Sequence, residues 1–350
     1  MPPELEALRQ LSARIGADPL LVQGAGGNTS IKEDGVLWIK ASGKWLSEAA
    51  REEMFVPVSL EPLLAALRQD HPDAERAEKF IAPGHDSKAL RPSIETTVHA
   101  LLPQKIVVHV HCVSTIAHAV QRNAEKLIAP LLAGISFAFI PYKRPGLPLA
   151  KAIADRLNPD INVLVLGNHG LVVAAETVAN VESLLEKVCR RLRLEPRKAF
   201  GPDVSALTQL ALASSYRLPA SPRAHAAAMD PVSCAMAAGG SLYPDHVVFL
   251  GAGSFISRLG ETAAMIEGAA RNEGVLPPVS ILFPGQGVLM RGDADRGAEA
   301  MAGCLADVTG RINLFAHVSY LSLAENAGLL NWDAEKYRQA LSRSSAGLPL

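Results

Sequence analysis

The stretch 106–113, IVVHVHCV, constrains the fold more than any other part of the chain. Its β-branched residues favour a strand, on which side chains two apart share a face. His109 and His111 therefore project together, while Val108, Val110 and Cys112 point the other way into a core. Two imidazoles side by side on one strand face form half of a metal site. A pair of hydrogen-bonded core histidines is the alternative that this stretch alone leaves open. A third histidine stands in 162–174, NVLVLGNHGLVVA, which reads as strand, tight turn, strand. His169 falls at the tip of that hairpin, beside Gly170, where a packed core histidine has no obvious place.

The rest of the first 200 residues alternates helix and strand signals. Leu5, Leu8, Leu11 and Ile15 recur at helical spacing over 3–16 and stop at Gly16. The glycine-dense loop 23–30, QGAGGNTS, leads into two short β runs over 31–40, joined by Asp34-Gly35, a hairpin signal. ASGK at 41–44 is a second small-residue loop. Loops of this kind let backbone N–H groups approach an anion, but neither nucleotide-binding pattern, GxxxxGK[ST] or GxGxxG, is complete. A helix is expected over 57–70 from Leu60, Leu63, Leu64 and Leu67, followed by a polar surface excursion over 71–90. The next helix should begin in 92–99, PSIETTVH, with Ser93 as N-cap and Glu95 in the first turn, where the helix dipole favours a carboxylate. His99, one turn on, reads as a packed helix histidine. Further helices are expected at 114–124, 127–132, 148–157 and 176–195, and a strand at 137–142.

At 198–203, KAFGPD, a Gly-Pro pair marks a change of texture. It divides the chain into a domain at 1–200 and a smaller α/β domain at 201–350. The second part alternates alanine-rich helices (205–214, 261–272, 294–309) with apolar β runs at 246–250, 279–283 and 287–290. GAGSF at 251–255 and PGQG at 284–287 read as glycine turns, and 323–338 reads as a helix. A chain of 350 residues can bury two cores. Its formal charge of −1 creates no global field toward nucleic acid or an anionic membrane. Cys112, Cys189, Cys234 and Cys304 lack CxxC spacing, which points to free thiols in a reducing compartment. The start, MPPELEALRQL, is acidic where a leader would be basic, and no apolar run reaches membrane-spanning length. A cytoplasmic protein with neither nucleic-acid nor membrane partners is expected.

Five fragments carry a resemblance: GGNTS at 26–30, ASG at 41–43, PSIE at 92–95, HVH at 109–111 and NHG at 168–170. Their order and spacing resemble the class II aldolase/adducin-head family across residues 5–200. PDHVVFL at 244–250, PGQGVLMRGD at 284–293 and NWDAEKYR at 331–338 resemble the middle segment of bifunctional sugar-phosphate aldolase/dehydrogenase chains, here ending at Leu350 without the dehydrogenase.

The resemblance implies an α/β fold with a central β-sheet flanked by helices, assembled as a homo-oligomer, a tetramer in most of the family. It implies that His109, His111 and His169 hold a divalent ion, Zn²⁺ first, with Mn, Co and Fe as alternatives. Glu95 would be the general acid/base at the carbon of a metal-stabilised enediolate, and a metal ligand when substrate is absent. Gly27, Asn28, Ser42, Gly43 and Ser93 match the substrate phosphate loops. The activity implied is carbon–carbon cleavage of a sugar, sugar phosphate or related hydroxy-ketone. Epimerase, dehydratase or decarboxylase chemistry on the same scaffold, or a non-catalytic adducin-head-like module, are the alternatives. The sequence departs from the fuculose-type pattern at Ser93-Ile94, where a doubled serine is expected. Lys40, Lys44 or Arg91 would then compensate, or the substrate carries a carboxylate. Tyr142 is the nearest candidate for the tyrosine that some members supply.

Overall fold

The computed structural model describes residues 2–84, 90–333, 336, 337 and 341. By their contacts these fall into two compact units, one drawn from Met1–Ala119 and Asn123–Arg193, the other from Val120–Arg122 and Leu194–Leu350. The fold is mixed α/β: a seven-stranded sheet flanked by helices in the first unit, a smaller sheet in the second.

The strands of the large sheet are β1 (Asn28–Glu33), β2 (Val36–Lys40), β3 (Phe55–Ser59), β4 (Ile106–Val110), β5 (Phe137–Ile140), β6 (Val163–Leu166) and β7 (Gly170–Ala175). They lie in the order β3-β2-β1-β4-β7-β6-β5, so β4 is central. All neighbours are antiparallel except β5 and β6. Asp34 and Gly35, with φ of 50° and 76°, make the left-handed turn between β1 and β2.

The alternation along β4 is observed as expected. Ile106, Val108 and Val110, with Cys112 beyond the strand, pack against Leu5, Leu8, Leu11 and Ile15 of the helix Leu5–Ala17 and Val181, Leu185 and Val188 of the helix Val178–Arg191. Val107 faces the opposite layer, with Leu149 and Ile153 of the helix Leu147–Ala154. Fully burying a valine is worth about 1.5–3 kcal/mol. A one-residue slip would send every β4 side chain to the wrong layer, so the valines on both faces keep His109 and His111 pointing the same way.

Three local expectations are corrected. The helix expected over 57–70 is the helix Leu60–Arg68 preceded by β3. β3 tolerates Pro57 because it is the sheet edge, where a missing N–H costs no ladder bond. The helix expected from residue 92 is Thr96–Leu101; Glu95 rather than Ser93 occupies its N-cap position, without a side-chain cap bond. The β run expected at 246–250 is the helix Pro244–Leu250. Pro244 sits at its first position, and all seven residues are buried, so no polar face reveals the helical period.

The second unit holds β8 (Tyr216–Arg217), β9 (Phe255–Ile256), β10 (Ser280–Phe283) and β11 (Gly287–Arg291) in the order β8-β11-β10-β9. The helices Val204–Leu210, Ala263–Asn272 and Arg296–Thr309 match the alanine-rich stretches. The tail begins as the helix Leu323–Leu330, started by a Ser322/Glu325 capping box. Parts of the expected 323–338 helix, and part of the 71–90 excursion, lie outside the described residues. No described helix is long and apolar enough to cross a membrane, and all four cysteines are free thiols.

Candidate metal centre

Three segments distant in sequence converge beside β4. His109 is on the strand itself and His111 just past its end. His169 is delivered by the three-residue turn between β6 and β7, where Leu166 pairs with Gly170. Asn168 adopts a left-handed conformation (φ 51°), and His169 N donates to Leu166 O at 3.1 Å, which closes the turn. The backbones must approach closely for this: a Cβ on Gly170 would lie 2.6 Å from Val110 O and 3.2 Å from the His109 ring. On the other side, a Cβ on Gly26 would lie 2.8 Å from His111 Nδ1. Gly170 of NHG and Gly26 of GGNTS are thus required by crowding around the imidazoles.

All three rings are buried, and one ligand nitrogen from each falls within 4.8 Å of the others. Their centroids are 5.0, 5.0 and 5.3 Å apart. His109 Nδ1 lies 3.1 Å from Leu171 O. A carbonyl only accepts, so Nδ1 carries the proton and Nε2 presents its lone pair to the cluster. His111 Nε2 is 3.1 Å from that same Nε2.

Glu95 faces these imidazole nitrogens. Oε2 lies 3.4 Å from His109 Nε2 and Oε1 3.5 Å from His169 Nε2. Asn28 Nδ2 donates to Oε2 at 2.8 Å, whereas Oε1 is buried without a hydrogen-bond partner among the described residues. A buried carboxylate oxygen with no donor, aimed at a set of imidazole nitrogens, fits a divalent cation in character and in donor set.

Ser93 and Asn28 form the wall beside the carboxylate. Ser93 Oγ donates to Asn28 Oδ1 at 2.7 Å and accepts from Glu95 N at 3.2 Å. The register of β1 on β4 sets Asn28 opposite His109, immediately after Gly27 (φ 63°). Ser42 N donates to Arg91 O, and Ala41 bridges Pro92, so the loop carrying Ser42 and Gly43 (φ 77°) runs beside the Ser93 segment.

The basic residues considered as compensating charge are placed differently from one another. Lys40 is buried and donates to the carbonyls of Ala25 and Gly27. Lys44 forms a 2.6 Å ion pair with Glu52, and Arg91 is exposed. Tyr142 lies two residues past β5, its amide backed by the Gly167 turn. His99 is a packed helix histidine, bonded to Ser30 Oγ through Nδ1 at 2.7 Å. Burial first, then repulsion from His109, Lys32 and Lys40, holds it well below the usual imidazole range. The role of Lys40 was not legible in sequence: a lysine ending an apolar strand ordinarily reaches water, and no local pattern marks the carbonyls that bury it.

The chain is similar to several known proteins. "Uncharacterized oxidoreductase YuxG" of Bacillus subtilis (strain 168) is 35% identical over 189 residues, 51% of this chain and 27% of that protein, so the chain spans about a quarter of that relative. Among solved structures, the N-terminal class II aldolase domain of a conserved protein from Thermoplasma acidophilum is 28% identical, with a TM-score of 0.47, over 53% of this chain and 90% of that one. The L-fuculose-1-phosphate aldolase of Thermus thermophilus is 18% identical, with a TM-score of 0.39, over 55% of this chain and 93% of that one. Residues 7–195, which include every histidine and loop of the centre, match the model of the Class II Aldolase and Adducin N-terminal domain, and the chain belongs to that family.

Proposed function

We propose that the chain is a divalent-metal-dependent lyase that cleaves or forms a carbon–carbon bond in a sugar phosphate or related hydroxy-ketone. The observation that carries this reading is the convergence of His109, His111 and His169 on a carboxylate with one unbonded buried oxygen. The three imidazoles are the ligands. A divalent ion held there, Zn²⁺ before Mn, Co or Fe, would supply Lewis-acid stabilisation of negative charge developing on substrate oxygens.

The chain's own groups have separate tasks. Asn28 Nδ2 anchors Oε2 of Glu95 and leaves Oε1 to move a proton at the substrate carbon next to the carbonyl. Leu171 O holds the His109 proton on Nδ1. Gly27, Asn28, Ser42, Gly43 and Ser93 are the anion-binding loops, with Ile94 following Ser93. Lys44 is paired with Glu52 and the Ser93 hydroxyl donates to Asn28 Oδ1, so backbone N–H groups and the Ser42 hydroxyl carry that contact. Residues 1–200 form the catalytic domain and 201–350 an accessory one, in a cytoplasmic homo-oligomer.

The test is a retro-aldol screen of metal-loaded protein against ketose-1-phosphates, ketose-5-phosphates and unphosphorylated hydroxy acids. Release of dihydroxyacetone phosphate, glycolaldehyde or pyruvate is expected. Isomerised substrate, loss of water or loss of carbon dioxide, without cleavage, would replace the lyase reading by an epimerase, dehydratase or decarboxylase. A protein that binds no metal and transforms nothing would leave an interaction module.

A further inference from the structure

Within the second unit, Val120–Arg122 and residues 316–320 run side by side as a short antiparallel ribbon. Gln121 bridges Val318, Arg122 N donates to His317 O at 2.9 Å, and Ser319 N donates to Val120 O at 2.7 Å. This register sets Arg122 opposite His317, and opposed residues emerge on one face of a ribbon with Cβ atoms about 4.5–5.5 Å apart. A guanidinium and an imidazole thus stand together at the wall of a cavity of about 490 Å³. Most of the remaining wall is apolar, with Val232, Ala235 and Met236 from the helix Pro231–Ala238 and Leu314 facing them. The wall is already in place. Tyr320 Oη donates to Met236 O at 3.0 Å, and its ring occupies the space that a Cβ on Gly239 would need, 2.3 Å away. Leu321 N donates to Ser241 O at 2.9 Å, so the ribbon is tied to the chain just past that helix.

The charge of this cavity has one sign. No carboxylate lines it. Asp230, just before the helix, is held by the Arg197 guanidinium and by the amide and hydroxyl of Ser233. Among the described residues, nothing gives the Arg122 guanidinium or the His317 ring a hydrogen bond or an ion pair. An arginine on a flat surface needs no ligand, since water serves it. Here the fork borders a hollow within the range of about 300–1,000 Å³ that takes small molecules. Water in that hollow meets mostly hydrocarbon, so an apolar body displaces it favourably while an anionic head takes its place on the guanidinium. A sugar phosphate fits poorly, because its hydroxyls would lie against Val232, Met236 and Leu314 without partners. We propose that this cavity is a binding site for a small organic anion, a carboxylate or phosphate ester with a short aliphatic body. The head meets Arg122 and His317, and the body lies along Val232, Met236 and Leu314. The site belongs to the second unit and does not rest on the lyase reading.

The experiment is calorimetric titration of the full chain, as wild type, Arg122→Gln and Ala235→Trp, with hexanoate, hexyl phosphate, hexanol and inorganic phosphate. At least one of the two amphiphilic anions should bind wild type with a Kd of about 1 mM or tighter, and the tighter of them identifies the head that the site takes. Hexanol lacks the charge and inorganic phosphate lacks the body, so each should bind at least about 10-fold more weakly. Arg122→Gln should lose about 10-fold, the worth of a hydrogen bond to a charged group. Ala235 is exposed as well as lining the cavity, so a tryptophan there fills the space without entering the core and should abolish binding. The loops of the metal centre also suit a phosphate, and these two variants, both in the second unit, assign the binding to this cavity. Failure of both amphiphilic anions to bind overturns the proposal. So does hexanol or inorganic phosphate that binds as tightly as they do, or an affinity unchanged in either variant. If Ala235→Trp does not fold, Ala235→Leu replaces it, and Arg122→Gln, an exposed position, decides in any case.

Discussion

Each compact unit buries a histidine against backbone, and the two rings are held the opposite way round. In the first unit a carbonyl, Leu171 O, faces His109 Nδ1 and takes its proton, so Nε2 keeps a lone pair. In the second unit an amide, Leu242 N, donates to His246 Nδ1 at 3.3 Å, so the ring proton sits on Nε2, 3.4 Å from Ser254 Oγ. On the proposed reading, the difference separates a metal ligand from a packing residue. His246 and Ser254 have the look of a base and a nucleophile, yet His246 already donates toward the serine and has no free lone pair to receive its proton. His109 meets two more imidazoles and a carboxylate, while His246 meets the tilted ring of Tyr243 at 5.7 Å. Burial and residue type are alike; the backbone group opposite Nδ1 decides.

Substitutions at the two rings test that contrast, and the largest effect belongs to the first. His109→Ala should weaken metal binding by at least about 100-fold, since even outer partners of a ligand are worth 10- to 100-fold. His246→Ala should leave metal content at the wild-type level. Elemental analysis of the purified proteins reads both, and equal metal in the two variants would erase the distinction.

Glu95→Gln sharpens the picture within the first unit. It keeps the Asn28 contact but cannot carry a proton, so turnover should drop about 10²- to 10⁴-fold, the usual worth of a general acid or base. Metal content should hold; retained turnover would remove Glu95 from proton transfer.

The buried ring of the second unit also leaves a signature in acid, as His99 does in the first. Burial pushes the His246 imidazole down from 6.5 to about 4. The unfolded chain therefore takes up this proton first, and folding loses stability as the pH falls from 6.5 through 4, by on the order of 3 kcal/mol. Denaturant titrations at pH 7 and pH 4.5 should show the loss, with a shallower dependence in His246→Gln. Equal slopes in the two proteins would mean that other groups govern the acid limb.

Glycines give the smallest and most local effects. Gly170→Ala places a methyl 2.6 Å from Val110 O and should cost about 1–3 kcal/mol, as overpacking does. Gly268→Ala, in the helix Ala263–Asn272 with open space around it, should stabilise by about 0.4–1 kcal/mol. Thermal denaturation separates the signs; a neutral Gly170→Ala would show that the turn can shift without disturbing the histidines.

Much of the first unit could be read from local pattern because its signals are strong and agree with one another. Period-two alternation placed 106–111 on a strand, and Asp34-Gly35 and Gly167–Gly170 marked two hairpins that the structure contains. Patterns failed where tertiary burial removed the contrast they depend on. The helix Pro244–Leu250 has no solvent face, so its period vanished into an apolar run. β3 was hidden by Pro57, which only its edge position permits. Ser93 looked like a helix cap, yet its hydroxyl bridges Asn28 and the Glu95 amide just before the helix.

The amino-acid sequence by itself determined which residues share a face: hydrophobic alternation and turn chemistry act over a few residues and need no partner. It thereby fixed His109 beside His111 and set His169 at a hairpin tip. Only the tertiary structure decided that β1, β4 and β7 lie side by side, that Glu95 reaches the rings with one oxygen unbonded, and that Leu171 O selects the His109 tautomer. Those outcomes depend on groups 60 or more positions apart, and a hydrogen bond at about 3 Å is set by how strands and layers pack, which no local window contains.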